Sequence, residues 1–253
     1  MRALRGLAGL LVAVGIWESV TRAGLVDARF VPPPSVVFVR VAELLGTEAF
    51  LRDVIATVLA WAIALGTAVA VAVPAGLVLG SVRAVRVATR ALVELLRPIP
   101  SVALIPLVIL LVGGGPEAKI TLAVYASIWP ILYNTVYGLG ELDPLLTDTA
   151  RACGVPRRRV AVSVALPAAA PFVVTGVRLS AAIALIVVVS TEFLAGASRG
   201  IGSAILRASS GAGRMDIVLA ATLVAGTIGF AINEGLERLV RTAFPWSTVA
   251  AAS

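Results

Sequence analysis

The sequence predicts an all-α, polytopic membrane protein with about six transmembrane helices. Three observations support this fold class: 59% of the 253 residues are hydrophobic, the mean hydropathy is +1.02, and the arginines mostly flank long apolar runs. Soluble domains contain only about 45–50% apolar residues. Several of the runs approach the roughly 20 apolar residues that cross a bilayer. We therefore expect one transmembrane domain over residues 1–253, without a separate soluble domain.

The composition limits the chemistry that the chain can perform. It has no histidine and one cysteine, Cys153, so a disulfide framework is excluded and zinc or haem ligation through these residue types is not expected. No P-loop pattern G-x-x-x-x-G-K-[ST] occurs, so ATP should not bind by that route. The net charge of +7 is better explained by the positive-inside rule than by nucleic acid. We predict no catalytic residue, no cofactor, no metal and no nucleic-acid partner.

The apolar runs predict the order of the spans. The first run, residues 7–20, follows two arginines as a secretory signal peptide would, but no clean cleavage site follows, so we interpret it as a retained span. In the outward segment after it, residues 36–45 are able to form an amphipathic helix on the membrane surface. A short tail at 245–246 is expected at the interface. The other spans are predicted, in order, at residues 54–80, 98–112, 119–139, 171–195 and 217–232.

One predicted span and one connection have distinctive compositions. Prolines at 98, 100 and 106 argue against a straight third span. The glycine-rich connection after the fifth span is expected to be a flexible outward loop, and it carries Arg199, Arg207 and Arg214. These arginines could bias a small anion toward a pathway. Solvated loop charges are the simpler explanation for any one of them.

Three polar residues fall inside predicted spans. Asn134 should face protein or water, because an amide is costly in lipid. Arg178 is able to snorkel toward the headgroups. It cannot pair with Glu192 within one helix, because the 14 residues between them span about 21 Å. Glu192 is either a gate or pathway contact or a hydrogen-bonded packing residue. We take Asn134 and Glu192 as candidate pathway or gate residues.

A polar, arginine-bearing segment interrupts the apolar runs between the fourth and fifth spans. Asp143 suits a helix N-cap and Pro144 the first helical position, where a missing N–H costs nothing. Gly154 is able to end that helix in a left-handed cap, and Pro156 to open a second helix. We therefore predict two short helices that meet at a glycine beside the membrane.

This segment resembles the EAA loop of permease subunits of ATP-binding-cassette (ABC) importers. The family pattern is E-A-A, three residues, glycine, nine residues and I-x-L-P; all its intervals match here, with Asp for Glu and Thr for Ala in the first triplet. The resemblance implies that residues 143–167 are a cytoplasmic coupling loop that docks into an ABC ATPase subunit. The coupling residues that it implies are Asp148, Thr149, Ala150, Gly154, Leu166 and Pro167.

Two further stretches, 97–106 and 130–135, are similar to the nitrate/sulfonate/taurine branch of these permeases. The resemblance implies a type I ABC importer permease fold in the cell membrane of a prokaryote. It also implies three partners: ATPase subunits, an extracytoplasmic substrate-binding protein and a second permease copy in a homodimer. The implied solute is a small anion such as a sulfonate, taurine or nitrate, with a pyrimidine vitamin precursor as the alternative.

The distribution of charge gives an orientation. Leaving out Arg178, twelve lysines and arginines fall on one side of the predicted spans and eight on the other, which favours both termini in the cytoplasm. A secondary transporter is a rival, but it would need more intramembrane ion sites than Asn134 and Glu192 provide. An integral-membrane enzyme is a second rival, but it would show clustered His, Asp or Ser at one membrane surface.

Overall fold

The computed structural model describes residues 2–210 and 213–243, and every regular element in these ranges is helical. The predicted all-α class is confirmed. The predicted interfacial tail at 245–246 lies outside the described residues. In chain order the α-helices are α1 Arg2–Arg22, α2 Pro34–Leu45, α3 Glu48–Ser81, α4 Arg83–Leu96, α5 Ile105–Val112, α6 Pro116–Gly140, α7 Pro144–Ala152, α8 Arg157–Val160, α9 Leu166–Leu194, α10 Ile201–Ser210 and α11 Met215–Ala243.

Several of these helices are long enough to cross a membrane. Within the described ranges, three meet the requirements of length and apolar composition: α3, α9 with the turn before it, and α11. The pair formed by α4 and α5 makes a fourth if it is counted as one broken span. Helices α1 and α6 have 21 and 25 residues, so at a rise of about 1.5 Å per residue both are also long enough to cross a bilayer core of about 30 Å.

The third predicted span differs most from the structure. In place of a helix over 98–112 there are a 3₁₀ turn, Ser101–Leu104, and the eight-residue helix α5. The arginine-rich segment between the predicted spans 54–80 and 98–112 forms the helix α4, and the bend between α4 and the 101–112 stretch is 78°. The prolines explain the break, because each removes a backbone donor and fixes φ.

Three other boundaries are corrected by the structure. Helix α9 begins at Leu166, so Pro171 lies inside the helix and is not its start. Helix α11 continues through the segment that was expected to leave the membrane after residue 232. The glycine-rich connection, expected to be a flexible loop, contains the ten-residue helix α10.

Helices α3, α6 and α9 form the centre of the bundle. The most extensive contacts are between α6 and α9, followed by those between α3 and α6. A Cβ at Gly76 of α3 would lie 2.6 Å from the Thr135 Cβ of α6, and a Cβ at Gly176 of α9 would lie 2.9 Å from the Asn134 Cβ. Small residues at such positions let membrane helices approach closely. The relative positions of these three helices are therefore tightly fixed.

The outer helices are fastened to the bundle by polar contacts. The predicted amphipathic helix is present as α2, and Glu18 of α1 accepts hydrogen bonds from the Ser35 backbone N–H at 3.0 Å and from its hydroxyl at 2.8 Å. Glu18 thus satisfies an N–H in the first turn of α2, which has no side-chain cap of its own. On α2, Arg40 forms an ion pair with Asp216 of α11 at 2.8 Å.

Candidate coupling and pathway sites

The first helix of the segment between α6 and α9, α7, begins and ends as the sequence predicts. The Leu145 N–H donates to the Asp143 carboxylate at 2.9 Å, so Asp143 caps α7 as predicted. Gly154 has φ +78°, and the Val155 N–H donates to the Ala150 carbonyl at 3.1 Å, which closes α7 in a left-handed cap. Both sequence predictions are confirmed: Asp143 caps the start of α7 and Gly154 ends it.

The second half of this segment is not a separate short helix. The Pro156 carbonyl accepts the first helical bonds, from the N–H groups of Arg159 at 2.8 Å and Val160 at 3.1 Å, and so opens α8. Helix α8 then runs through a π-helical turn, Ala161–Ala165, directly into α9. The segment over 143–167 is here called the coupling segment. It consists of the short helix α7, a glycine turn, and a second helical stretch, α8 with the π-helical turn, that continues into α9.

The coupling segment exposes apolar side chains. Leu145 and Leu146 of α7 are 69% and 52% exposed, and Asp148, Thr149 and Cys153 are also exposed. The side of α7 that carries Leu145 and Leu146 is thus uncovered in the single chain. Of the other candidate coupling residues, Ala150 is half-buried, and the rest are exposed: Gly154, Leu166 and Pro167.

Asn134 lies in the contact between α6 and α9. Its side-chain N–H donates to the Pro130 carbonyl of its own helix at 2.8 Å, and the residue is half-buried beside Gly176 of α9. One N–H of the amide is therefore satisfied within α6, and the side chain lies against protein, as the cost of an amide in lipid requires.

Glu192 is at the far end of α9 from the coupling segment, and it is completely buried. Its carboxylate accepts hydrogen bonds from the Lys119 ammonium at 2.6 Å, the Thr57 hydroxyl at 2.8 Å and the Gly202 N–H at 3.1 Å. The side chains of Lys119 and Glu192 are 4% and 0% exposed. A charge-assisted network of this kind holds parts of α3, α6, α9 and α10 together.

The network continues to the start of α10. The Gly200 N–H donates to the Asp53 carboxylate at 3.0 Å, and the Ile201 N–H donates to the Thr57 hydroxyl at 2.9 Å. Arg207 pairs with Asp53 at 2.5 Å. We call this group of side chains the polar clamp; its members are Asp53, Thr57, Lys119, Glu192 and Arg207.

Sequence reasoning identified Glu192 but missed its partners. Lys119 lies 73 residues away and Thr57 lies 135 residues away along the chain, so no local pattern connects them. Two signals were available: Lys119 is the only lysine of the chain, and Gly200 and Gly202 flank Ile201. A Cβ at either glycine would overlap α9, with the Glu192 side chain in the way at both positions, so glycine is required there.

The interpretation of Arg178 as a snorkelling residue is wrong. Its guanidinium donates to the Asn233 amide oxygen at 2.8 Å and pairs with Glu237 at 2.6 Å, so it joins α9 to α11. A partner within the protein replaces the lipid headgroup as the group that satisfies the charge. A groove of about 440 Å³ with mainly apolar walls runs from this pair between the two helices.

The arginines of the glycine-rich connection are also largely engaged. Arg207 is held by Asp53, and Arg214 pairs with Asp216 at 2.9 Å. The hydrogen bonds that Arg214 donates to the Asp216 carboxylate raise the pKa of the Arg214 guanidinium above its usual value. Carboxylates neutralise these two charges locally, so their attraction for an approaching anion is weak.

Known proteins resemble the chain over most of its length. A family model described as "Binding-protein-dependent transport system inner membrane component" matches residues 72–242. A putative ABC transporter permease protein of Methanocaldococcus jannaschii is 34% identical over 203 residues, which are 80% of this chain and 76% of that protein. The taurine transport system permease protein TauC of Escherichia coli K12 is 29% identical over 242 residues, which are 94% of this chain and 87% of TauC.

A solved structure has the same fold. A bacterial ABC transporter involved in the import of the acidic polysaccharide alginate contains a chain that matches with a TM-score of 0.66 over 95% of this chain and 96% of its own length, at 17% identity. At that identity the likeness concerns the fold alone. The family match over 72–242 includes the entire coupling segment, Asn134 and the Lys119–Glu192 pair, whereas Asp53 and Thr57 precede it.

Proposed function

Because this chain belongs to the family of binding-protein-dependent transport system inner membrane components, we propose that two copies of it form the membrane pathway of an ATP-driven importer for a small anion. The chain is a permease subunit of an ABC importer. To this family assignment we add three proposals: the coupling role of residues 143–167, the homodimer and the solute. One observation carries the coupling role: an uncovered apolar side of α7 at the turn that joins two central helices.

The position of this turn makes it a suitable point for force to enter. Helices α6 and α9 both end at the coupling segment, and they are packed against each other along their length. A partner that docks on Leu145 and Leu146 would bury two apolar side chains, worth about 1.5–3 kcal/mol each if burial is complete. A displacement of that partner would then tilt both helices together.

The partner that we propose at this surface is a nucleotide-hydrolysing subunit. The permease has no P-loop pattern of its own, so the energy of ATP must come from another chain. Asp148, Thr149, Ala150 and Gly154 present short side chains or none beside the two leucines, which lets a partner approach the backbone of α7 closely. Leu166 and Pro167 would extend the contact onto the start of α9.

The orientation follows from the same assignment. If the ATPase binds at residues 143–167, that end of the bundle is cytoplasmic and the polar clamp is near the outer surface. The distribution of twelve against eight lysines and arginines supports this orientation. A substrate-binding protein would then deliver its solute at the end where α10 lies.

For the solute we propose an organic sulfonate of the taurine class. The support is the 29% identity to a taurine permease over 94% of this chain. The arginines near α10 add little, because Arg207 and Arg214 are paired with Asp53 and Asp216. A pyrimidine vitamin precursor is the alternative that the test below includes.

Reconstitution tests this function. The permease is placed in liposomes with its co-purified ATPase, the binding protein is added outside and ATP is enclosed on the ATPase side. We expect uptake of radiolabelled taurine or an alkanesulfonate that requires both ATP and the binding protein. The control is an ATPase with its catalytic glutamate replaced, which should bind ATP and give no accumulation.

Two results would contradict the proposal. Accumulation that continues without the ATPase, driven by an ion gradient, would indicate a secondary transporter. ATP-dependent uptake of a pyrimidine precursor with no uptake of sulfonates would retain the importer and reject the anionic solute.

A further inference from the structure

Helices α6 and α9 form an antiparallel hairpin that is fastened at matching positions from end to end. At the far end Lys119 pairs with Glu192 at 2.6 Å. In the middle the Ser180 hydroxyl donates to the Ser127 carbonyl at 2.7 Å, and the reciprocal bond from the Ser127 hydroxyl to the Ser180 carbonyl is 3.4 Å long. At the end near the coupling segment, Gly138 of α6 lies directly against Phe172 of α9. Such a hairpin cannot shear without breaking buried polar bonds.

The Lys119–Glu192 pair fixes one geometry at the far end. Both charges are out of solvent, so each requires the other, and removal of one leaves an unpaired charge in the interior. The Lys119 ammonium donates a second hydrogen bond, to the Arg199 carbonyl at 3.2 Å. Lys119 therefore holds both the end of α9 and the connection that leads to α10.

Helix α10 begins at this pair. The N–H of Gly200, the residue before α10, and the first two N–H groups of α10 are each bonded by a different side chain: Gly200 by Asp53, Ile201 by Thr57 and Gly202 by Glu192. The N–H groups of a first helical turn have no partner inside the helix, so these side chains act as its caps. Helix α10 is thus fastened to α3 and α9 at its first turn, while its last residues lead to α11.

We propose that the polar clamp fastens α10 to the α6–α9 hairpin, so that α10 moves as one body with the hairpin when the coupling segment is displaced, and that Lys119 and Glu192 are the positioning residues of this linkage. The inference rests on the proposed function for its consequence in transport. Its geometric part, that the pair holds the first turn of α10, stands on the contacts alone.

A buried ion pair is a poor device for stability alone. Replacing such a pair with apolar residues of similar volume is often neutral or stabilising, whereas the pair itself specifies one arrangement of the groups around it. Here the Lys119–Glu192 pair holds α10 against one end of the hairpin, and the coupling segment lies at the other end. Loss of both charges should therefore leave a folded protein whose two ends are no longer coupled.

The test compares three variants with the wild type: Glu192→Gln, Lys119→Met and the double variant. The first measurement is amide hydrogen exchange over residues 198–206 in the purified full-length chain. We expect exchange at the start of α10 to rise by about tenfold in all three, because an acceptor or its orientation is lost. Arg40→Met is the matched control, since it breaks another interhelix ion pair, with Asp216, and should leave this exchange unchanged.

The second measurement is the number of solute molecules imported per ATP hydrolysed in liposomes. The double variant carries no unpaired buried charge, so it should fold even where a single variant does not. We expect the number of solute molecules that the double variant imports per ATP to fall by about fivefold or more, while ATP hydrolysis continues. Fivefold is the lower end of the usual range of coupling factors between two sites. Arg40→Met should keep the wild-type ratio.

The outcomes separate the two proposals. Unchanged exchange in the double variant would overturn the clamp, and raised exchange with an unchanged ratio would overturn its role in coupling. If the wild type imports nothing with its ATPase and binding protein, the proposed function fails and the coupling role fails with it. Hydrogen exchange needs neither nucleotide nor solute, so it still decides whether the pair holds α10.

Discussion

Gly138 of α6 lies directly against Phe172 of α9: a Cβ at position 138 would be 2.6 Å from the Phe172 Cβ. We predict that Gly138→Ala destabilises the protein by about 1–3 kcal/mol, because the two helix backbones would have to move apart. The higher helix propensity of alanine, worth about 1 kcal/mol, offsets only part of this cost. The measurement is the thermal midpoint of the detergent-solubilised chain, followed by size-exclusion chromatography after heating.

Gly140, two residues further along α6, is the matched control. A Cβ there would meet nothing within 4 Å, so Gly140→Ala should leave the midpoint unchanged or raise it slightly. Equal midpoints for the two variants would contradict the tight contact between α6 and α9 at this end of the hairpin.

The second prediction separates folding from docking at Gly154. Its φ of +78° disfavours any side chain by about 1–2 kcal/mol, but the space around it is open within this chain. Gly154→Ala and Gly154→Arg should therefore lower the thermal midpoint by similar amounts. We expect only the arginine variant to weaken binding of the purified ATPase by about tenfold or more, because an arginine would occupy the contact area of the partner.

The measurement is the dissociation constant of the permease–ATPase complex in detergent. If Gly154→Arg bound the ATPase as tightly as Gly154→Ala does, the coupling segment would not be the docking surface, and transport by the arginine variant would confirm that failure.

The features that could be predicted from the sequence are those that local rules determine. Asp143 caps α7 and Gly154 ends it because each acts on backbone groups within a few residues. The all-α class and most spans follow from apolar runs whose length alone is informative. Even here the ends were displaced: α9 begins at Leu166 and runs through Pro171, because neighbouring helices in a membrane bundle allow a proline inside a helix.

The features that could not be predicted depend on residues far apart in the chain. Glycines after α9 suggested a flexible loop, but Gly200 and Gly202 are needed because α10 packs directly on α9. Arg178 was assigned to lipid because Asn233 and Glu237, more than 50 residues away, could not be placed beside it. Pairing across helices is set by their packing, and periodicity along one helix does not contain that information.

The third prediction concerns the orientation of the coupling segment. Cys153 is the only cysteine of the chain and is exposed. A membrane-impermeant maleimide should label it in inside-out vesicles and not in right-side-out cells, because residues 143–167 are proposed to be cytoplasmic. A Cys153→Ser variant gives the background of the assay.

A cysteine at the other end of the bundle completes this test. Ser198 is exposed in the connection between α9 and α10, so Ser198→Cys in the Cys153→Ser background should be labelled from the opposite side. Labelling of Cys153 from outside intact cells would reverse the orientation and reject the docking of an ATPase at this segment.

The fourth prediction tests a pathway role for Asn134. Its amide donates to the carbonyl of Pro130 one turn earlier, and a bond of this kind contributes about 0.5–1.5 kcal/mol. Asn134→Leu, which has nearly the same shape, should therefore change the free energy of unfolding by about 1 kcal/mol or less. If Asn134 lines the pathway, the same substitution should lower solute uptake by about fivefold, since a polar contact with the solute worth about 1 kcal/mol would be lost.

Thr175 of α9 provides a control with the same local chemistry. Its hydroxyl donates to the carbonyl of Pro171 one turn earlier, so Thr175→Val removes a bond of the same kind at a more exposed position. We expect Thr175→Val to lower the thermal midpoint by no more than Asn134→Leu does and to keep wild-type uptake. Because both variants lose one bond within a helix, a difference in uptake cannot come from that loss. Equal uptake by the two would show that Asn134 serves the packing of α6 against Gly176 and does not contact the solute.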